Sequence, residues 1–93
     1  MHEIRLTLLT RPNCHLCEEA RVVIDEILAE RAAAGLQDAN FEELSIDGDE
    51  VLTYHFNEDI PVVLINEQVH DILRVNPERL RQALRALDQT KEG

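Results

Sequence analysis

The chain has no tryptophan, one tyrosine and two phenylalanines among 93 residues, with three glycines, three prolines and two cysteines. Cations are also scarce. Nine lysines and arginines stand against 19 aspartates and glutamates, a formal net charge of −10. That balance argues against nucleic acid and anionic membranes as partners, because both are bound through positive charge. It also selects against acidic protein substrates, unless the acids serve solubility alone. No apolar run reaches the roughly 18 residues that suggest a membrane span. No signal peptide is visible, since Met1, His2 and Glu3 lead directly into a strand pattern, which makes the cytoplasm the default compartment. There a lone close cysteine pair points to redox chemistry or metal binding and away from a structural staple. Repeats, low-complexity segments and linkers are all missing, so residues 1–93 form one domain with a modest core. The apolar fraction of 44% and charged fraction of 30% fit a soluble globular protein.

What is present is organised around Arg11-Pro12-Asn13-Cys14-His15-Leu16-Cys17. Ile4, Leu6 and Leu8 alternate with Arg5 and Thr7 just before it, predicting a strand from Glu3 to Leu9. Leu9 breaks the alternation, as where a strand is buried on both faces. Pro12 stiffens the approach to a helix predicted from Cys14 to about Ala34. Its apolar stripe is Leu16, Ala20, Val23, Ile24, Ile27 and Leu28 at spacings of three and four, and Gly35 ends it.

A Cys-x-x-Cys pair between strand and helix is a redox signature with a physical basis. The first turn of a helix leaves N–H groups unpaired and carries partial positive charge. A thiolate at Cys14 is stabilised there, and the thiolate is the attacking form. Cys17 lies one turn in on the same face, shielded and able to close a disulfide with Cys14. The asymmetry makes Cys14 the nucleophile and Cys17 the resolving thiol. Glu18 and Glu19 oppose a nearby thiolate. His15, when protonated, favours it. It can equally be an exposed side chain with no role.

Further along, Phe41 to Ile46 predicts a second strand with Leu44 and Ile46 on one face. Asp47 or Asp49 caps a short helix carrying Val51, Leu52, His55 and Phe56, with Tyr54 packed in the core and His55 at the surface. Ile60 to Ile65 is the most β-branched run and a third strand, with Pro61 tolerated near its start. Asn66-Glu67 predicts a tight hairpin into a fourth strand, Gln68 to Leu73, with Val69 and Ile72 or Leu73 inward. Asn76 caps the last helix and Pro77 opens it; Leu80, Ala83, Leu84 and Leu87 are its apolar face. Residues Gln89 to Gly93 are expected to fray. The order is β-α-β-α-β-β-α. Helical crossovers suggest that the first three strands are parallel, with the hairpin adding one antiparallel strand and helices covering both faces.

The strand, the Cys-x-x-Cys at a helix start, the Ile-Pro before a strand and the final hairpin and helix together resemble the thioredoxin fold, an α/β fold with a four-stranded mixed sheet. The segment Arg11-Pro12-Asn13-Cys14-His15-Leu16-Cys17-Glu18 resembles that of the short glutaredoxin-like family of small bacterial proteins. The resemblance covers nearly the whole chain. It implies that Pro61 is a cis-proline facing the active-site disulfide, and that the backbone at Ile60 pairs with an extended thiol substrate. It also implies that Arg11 lies where glutaredoxins keep a cation near the glutathione carboxylate. Pro12 and His15, flanking Cys14, complete the candidate substrate-binding set of Arg11, Pro12, His15, Ile60 and Pro61. Cys-His-Leu-Cys departs from the Cys-Pro-Tyr-Cys of glutaredoxins. The Gly-Gly-x-Asp segment that follows their hairpin is also missing: Val69 to Val75 holds no glycine to let a ligand approach the backbone. This weighs against a glutathione site, for which Arg74 would be a weak substitute contact.

The function expected is thiol–disulfide exchange of glutaredoxin-like type, on a disulfide-containing protein or a low-molecular-weight thiol. The chemistry needs no cofactor and no metal. Two other readings compete. One is a non-catalytic interaction module with an apolar patch beside Pro61. The other is a metal or iron–sulfur site shared between two Cys-x-x-Cys pairs, since such sites usually need four ligands.

Overall fold

The computed structural model describes residues 3–89. The frayed end expected at the C-terminus lies outside them from residue 90 onward, as does His2. The elements run β1 (Ile4–Thr10), α1 (His15–Ala33), β2 (Ala39–Ser45), α2 (Glu50–Phe56), β3 (Val62–Ile65), β4 (Gln68–Ile72) and α3 (Pro77–Asp88). They build one four-stranded mixed sheet of order β2-β1-β3-β4.

β1 pairs parallel with β2 but antiparallel with β3, and β3 pairs antiparallel with β4. The expectation of three parallel strands therefore fails at β3. The reason is the length of α2. The link from β2 to β3 starts where the Ile46 N–H donates to the Thr10 carbonyl at 2.9 Å. It ends with Val62 opposite Leu9. Both points lie at the same end of the sheet. A parallel strand would need a crossover reaching back along the seven residues of β1, about 23 Å at a strand's rise. The seven residues of α2 span only about 10 Å.

β1 is central and buried on both faces, with Leu8 and Leu9 both sealed. One face packs Ile4, Leu6, Leu8 and Val63 against Ala20, Ile24 and Ile27 of α1 and Leu80 and Leu84 of α3. The second cluster joins Leu9, Ile46, Ile60 and Val62 to Cys17, with Leu52 and Phe56 of α2 against it. Helices thus lie on both faces. Each helix is defined by its caps. Asp49 and Asn76 accept the N–H groups of Leu52 and Arg79, and Pro77 opens α3. After α1, Gly35 takes φ +71°, and Leu36 N–H and Gly35 N–H return to the carbonyls of Arg31 and Ala32, a C-terminal Schellman arrangement.

Three packing expectations are corrected. In β4, Val69 and Ile72 are exposed, as is Leu73 just past its end. The β3–β4 register shifts between Val63 and Leu64, making His70 the extra residue of a bulge. A one-residue slip exchanges faces along a strand, so His70 is half-buried while Val69, expected inward, is exposed. In α2, Tyr54 is 85% exposed and Val51 is also exposed, because so short a helix buries only Leu52 and Phe56 in part. Leu44 is exposed on the edge strand β2, while Ile46, just past its end, is buried.

Candidate functional site

The site lies at one end of the sheet, where β1, β2 and β4 finish and β3 begins. Four connections converge there: the turn after β1, the link into α2, the segment before β3 and the loop after β4. Pro12 and then Asn13, at φ +58°, turn the chain into α1. Asparagine is among the few residues that take this left-handed conformation readily.

Cys14 is the N-cap of α1, with extended backbone. Its sulfur accepts the Cys17 N–H at 3.1 Å, occupying the place that a serine or aspartate oxygen takes at other helix starts. Cys14 and Cys17 are joined as a disulfide, their Cα atoms 5.2 Å apart. Burial separates the two sulfurs. Cys17 is 1% exposed within the second core cluster, and Cys14 is half-buried at its rim. An incoming thiol can therefore approach Cys14 more readily than Cys17.

Ile60 and Pro61 belong to the same neighbourhood. The Ile60–Pro61 bond is cis, Pro61 is fully buried, and Ile60 packs in the cluster that holds Cys17. Leu73 secures this segment from the β4 side, its N–H donating to the carbonyls of Pro61 at 2.8 Å and Asp59 at 3.1 Å. Leu73 itself stands at φ +67°. Nothing in the sequence marked it for this role, since a leucine in that conformation has no compositional signal.

The remaining candidates are placed as follows. Arg11 lies on the α2 side, where its Nη2 donates to the backbone carbonyl of Asn57 and, at 2.9 Å, to the Asn57 Oδ1. Asn57 is the C-cap of α2. Its carbonyl is one of the groups that a helix end leaves without a partner, and the guanidinium supplies one. Arg11 and exposed Pro12 share a cleft of about 240 Å³ with Ile46, Asp47, Thr53 and Asn57. On the other side of the disulfide, exposed His15 has its Nε2 3.8 Å from Glu19. The other oxygen of Glu19 meets Arg74 at 3.4 Å. Arg74 and Glu19 border a second cleft of about 120 Å³ with Leu16, Ala20, Val23 and Val75. The sequence singled out Arg11 and Arg74 but gave no sign of their partners, Asn57 and Glu19.

One further contact fixes α1 on the sheet. Arg21 grips both carboxylate oxygens of Glu43 in β2 through one guanidinium edge, with Nε and Nη2 as donors. The hydrogen bond from Arg21 holds the Glu43 carboxyl below its usual range, against the upward push of burial. Among the described residues no group of three or more His, Cys, Asp or Glu side chains is placed to hold a metal ion. No helix among them is long and apolar enough to cross a membrane.

The family model named Glutaredoxin-like domain (DUF836) matches residues 5–85. The chain belongs to this family. Among solved structures, protein XcR50 from X. campestris is 31% identical, with 87% of this chain and 96% of that chain covered and a TM-score of 0.62. Protein Ne2328 from Nitrosomonas europaea is 22% identical over 89% of this chain and 93% of its own, with a TM-score of 0.67. A thioredoxin from Trypanosoma brucei brucei, 18% identical, covers 95% of this chain against 77% of its own, with a TM-score of 0.65. No curated protein matches the chain. The glutaredoxin-like chain thus has the thioredoxin fold and carries a Cys-x-x-Cys disulfide at its first helix, the arrangement of a redox-type protein.

Proposed function

We propose that the protein is a thiol–disulfide oxidoreductase of glutaredoxin-like type. The observation that carries this reading is the inequality of the two sulfurs: Cys14 at the helix cap and half-open, Cys17 sealed behind it. In the reduced protein the Cys14 thiolate attacks one sulfur of a substrate disulfide. The substrate S–S bond breaks, one substrate thiolate leaves and takes a proton, and a mixed disulfide forms. Cys17 then loses its proton and attacks the Cys14 sulfur, releasing the second substrate thiol and closing the Cys14–Cys17 bond. Two electrons pass from the dithiol to the substrate. A thiol reductant returns them by the reverse exchange, and no cofactor takes part. The backbone at Ile60, beside Pro61, pairs with the extended substrate, while Pro12 and His15 border its path to Cys14. Substrates are disulfide-bonded proteins or small disulfides, in a thiol-rich compartment such as the cytoplasm.

The test is equilibration of the Cys14/Cys17 pair against a glutathione or dithiothreitol redox series, with the Cys14 titration followed by thiolate absorbance. A reversible transition near a cellular poise, with Cys14 ionising below a free cysteine, is expected. A pair that never cycles, or a Cys14 that behaves as free cysteine and exchanges with nothing, would overturn the reading.

A further inference from the structure

The charges around the disulfide indicate which substrates it accepts. Glu18 lies in the first turn of α1 and Glu19 just after it, Asp47 and Asp49 in the link to α2, and Glu58 and Asp59 in the segment before Pro61. Strand pairing brings all three segments to the sheet end that holds Cys14. Arg11 and Arg74 at that end are engaged within the chain, and Arg79 nearby meets Asp71 at 3.5 Å. Arg11 is held by the Asn57 carbonyl and side chain, and Arg74 by Glu19.

A glutathione carboxylate approaching Arg11 would have to displace the α2 cap and enter a cleft shared with Asp47. At Arg74, which is exposed, it would compete with the Glu19 carboxylate 3.4 Å away. An anion thus meets six acids at this end, against two arginines that already face partners within the chain. A cation meets the same acids as attraction. The acids need hold nothing themselves, since the reacting group is the disulfide and they set the field through which a substrate arrives.

Resting on the oxidoreductase reading above, we infer that this site takes a cationic disulfide, as in a basic peptide or protein, in preference to an anionic one. Arg11 acts as a positioning residue in this scheme. It braces the turn before Cys14 against the end of α2 at Asn57, two residues ahead of Asp59 and three ahead of Ile60, and so fixes the two walls of the substrate path relative to each other.

The experiment uses the reduced protein and three small disulfides: dicationic cystamine, uncharged hydroxyethyl disulfide and dianionic oxidised glutathione. The second-order rate constant for oxidising the protein is measured with each and divided by that for dithiothreitol with the same disulfide, which removes intrinsic reactivity. At low salt the normalised rates should fall in the order cystamine, hydroxyethyl disulfide, oxidised glutathione, with about tenfold or more between the extremes. At about 1 M salt, where the screening length is about 3 Å, they should converge. Arg11→Gln should slow all three by a similar factor, because it loosens the brace. Glu58→Gln combined with Asp47→Asn, both exposed and outside the core, should shrink the ratio of cystamine to oxidised glutathione. Oxidised glutathione reacting as fast as cystamine, a ratio indifferent to salt, or an Arg11→Gln defect confined to oxidised glutathione would each overturn the inference. Exchange that ignores charge overturns this inference alone. Exchange with none of the three overturns the oxidoreductase reading and this inference with it.

Discussion

The backbone N–H of Cys17 donates to the sulfur of Cys14 at 3.1 Å, so the residue proposed as the nucleophile also caps its own helix. On reduction this donor and the positive helix end would favour the thiolate of Cys14, whereas Cys17 is 1% exposed in the disulfide form. Alkylation of the reduced protein should therefore be sequential. Iodoacetamide should modify Cys14 faster than a free cysteine at pH 7 and reach Cys17 only on unfolding, as peptide mapping over a time course would show. Equal labelling of both cysteines in the folded protein would contradict the assignment.

The same asymmetry predicts opposite behaviour for two single variants. Cys17→Ser keeps the proposed nucleophile but removes the proposed resolving thiol, so it should accumulate a mixed disulfide with a disulfide substrate. Cys14→Ser should accumulate none. Non-reducing electrophoresis or intact mass separates the outcomes, and adduct on Cys14→Ser but not on Cys17→Ser would reverse the roles.

Far from the site, Arg31 and Asp88 join α1 to α3 through two hydrogen bonds of 2.9 and 2.7 Å. A third bond from Arg31 reaches the Gln37 carbonyl at 3.0 Å. The side chains are 7% and 14% exposed. Removing one partner strands the other charge in a poorly solvated place, which typically costs about 3–5 kcal/mol. Asp88→Ala should lower the free energy of unfolding in urea by about that amount. Arg31→Met with Asp88→Leu should recover much of the loss, since an apolar pair leaves no buried charge. A double variant as unstable as Asp88→Ala would show that the pair's specific geometry matters beyond charge balance.

The parts of the molecule written in local pattern were legible in the chain. The alternation of Ile4, Leu6 and Leu8, the caps at Asp49 and Asn76 and the stop at Gly35 each depend on a few neighbouring residues. So did the placement of Cys14 and Cys17, which follows from one strand and one helix start. The direction of β3 was not legible, because crossover length decides it and α2 is unusually short. The inward turn of His70 depends on a bulge that no residue type announces. Arg31 lies four residues after Ile27 on the buried stripe of α1, yet its partner is 57 positions away. The engagement of Arg11 with Asn57 is a long-range contact of the same kind. Sequence periodicity reports which face of an element is buried, but not which charge from elsewhere will meet it there.

His70 yields a pH dependence whose sign can be worked out. Its Nε2 is buried without a partner, and its backbone carbonyl accepts a long 3.4 Å bond from Arg79. Burial lowers the pKa of the ring from 6.5, with Arg79 acting in the same direction and Asp71 opposing. A folded-state pKa below the unfolded one means that folding favours the neutral ring. The resulting stability is present above about pH 6.5 and is lost as pH falls through the folded value. The carboxyls of Glu30 and Glu43 are also shifted, but downward from 4.5 by hydrogen bonds from Arg81 and Arg21 respectively. Their contributions are lost only at lower pH, so the interval between about pH 5 and 7 isolates the histidine. Urea unfolding of the wild type across that interval should show stability falling toward the acid side. His70→Gln, which cannot titrate there, should flatten the curve. The ring's own NMR titration should have its midpoint below 6.5. A midpoint at or above that of a free histidine, or a His70→Gln curve parallel to the wild type, would show that the ring is solvated in the native state and that the bulge does not bury it.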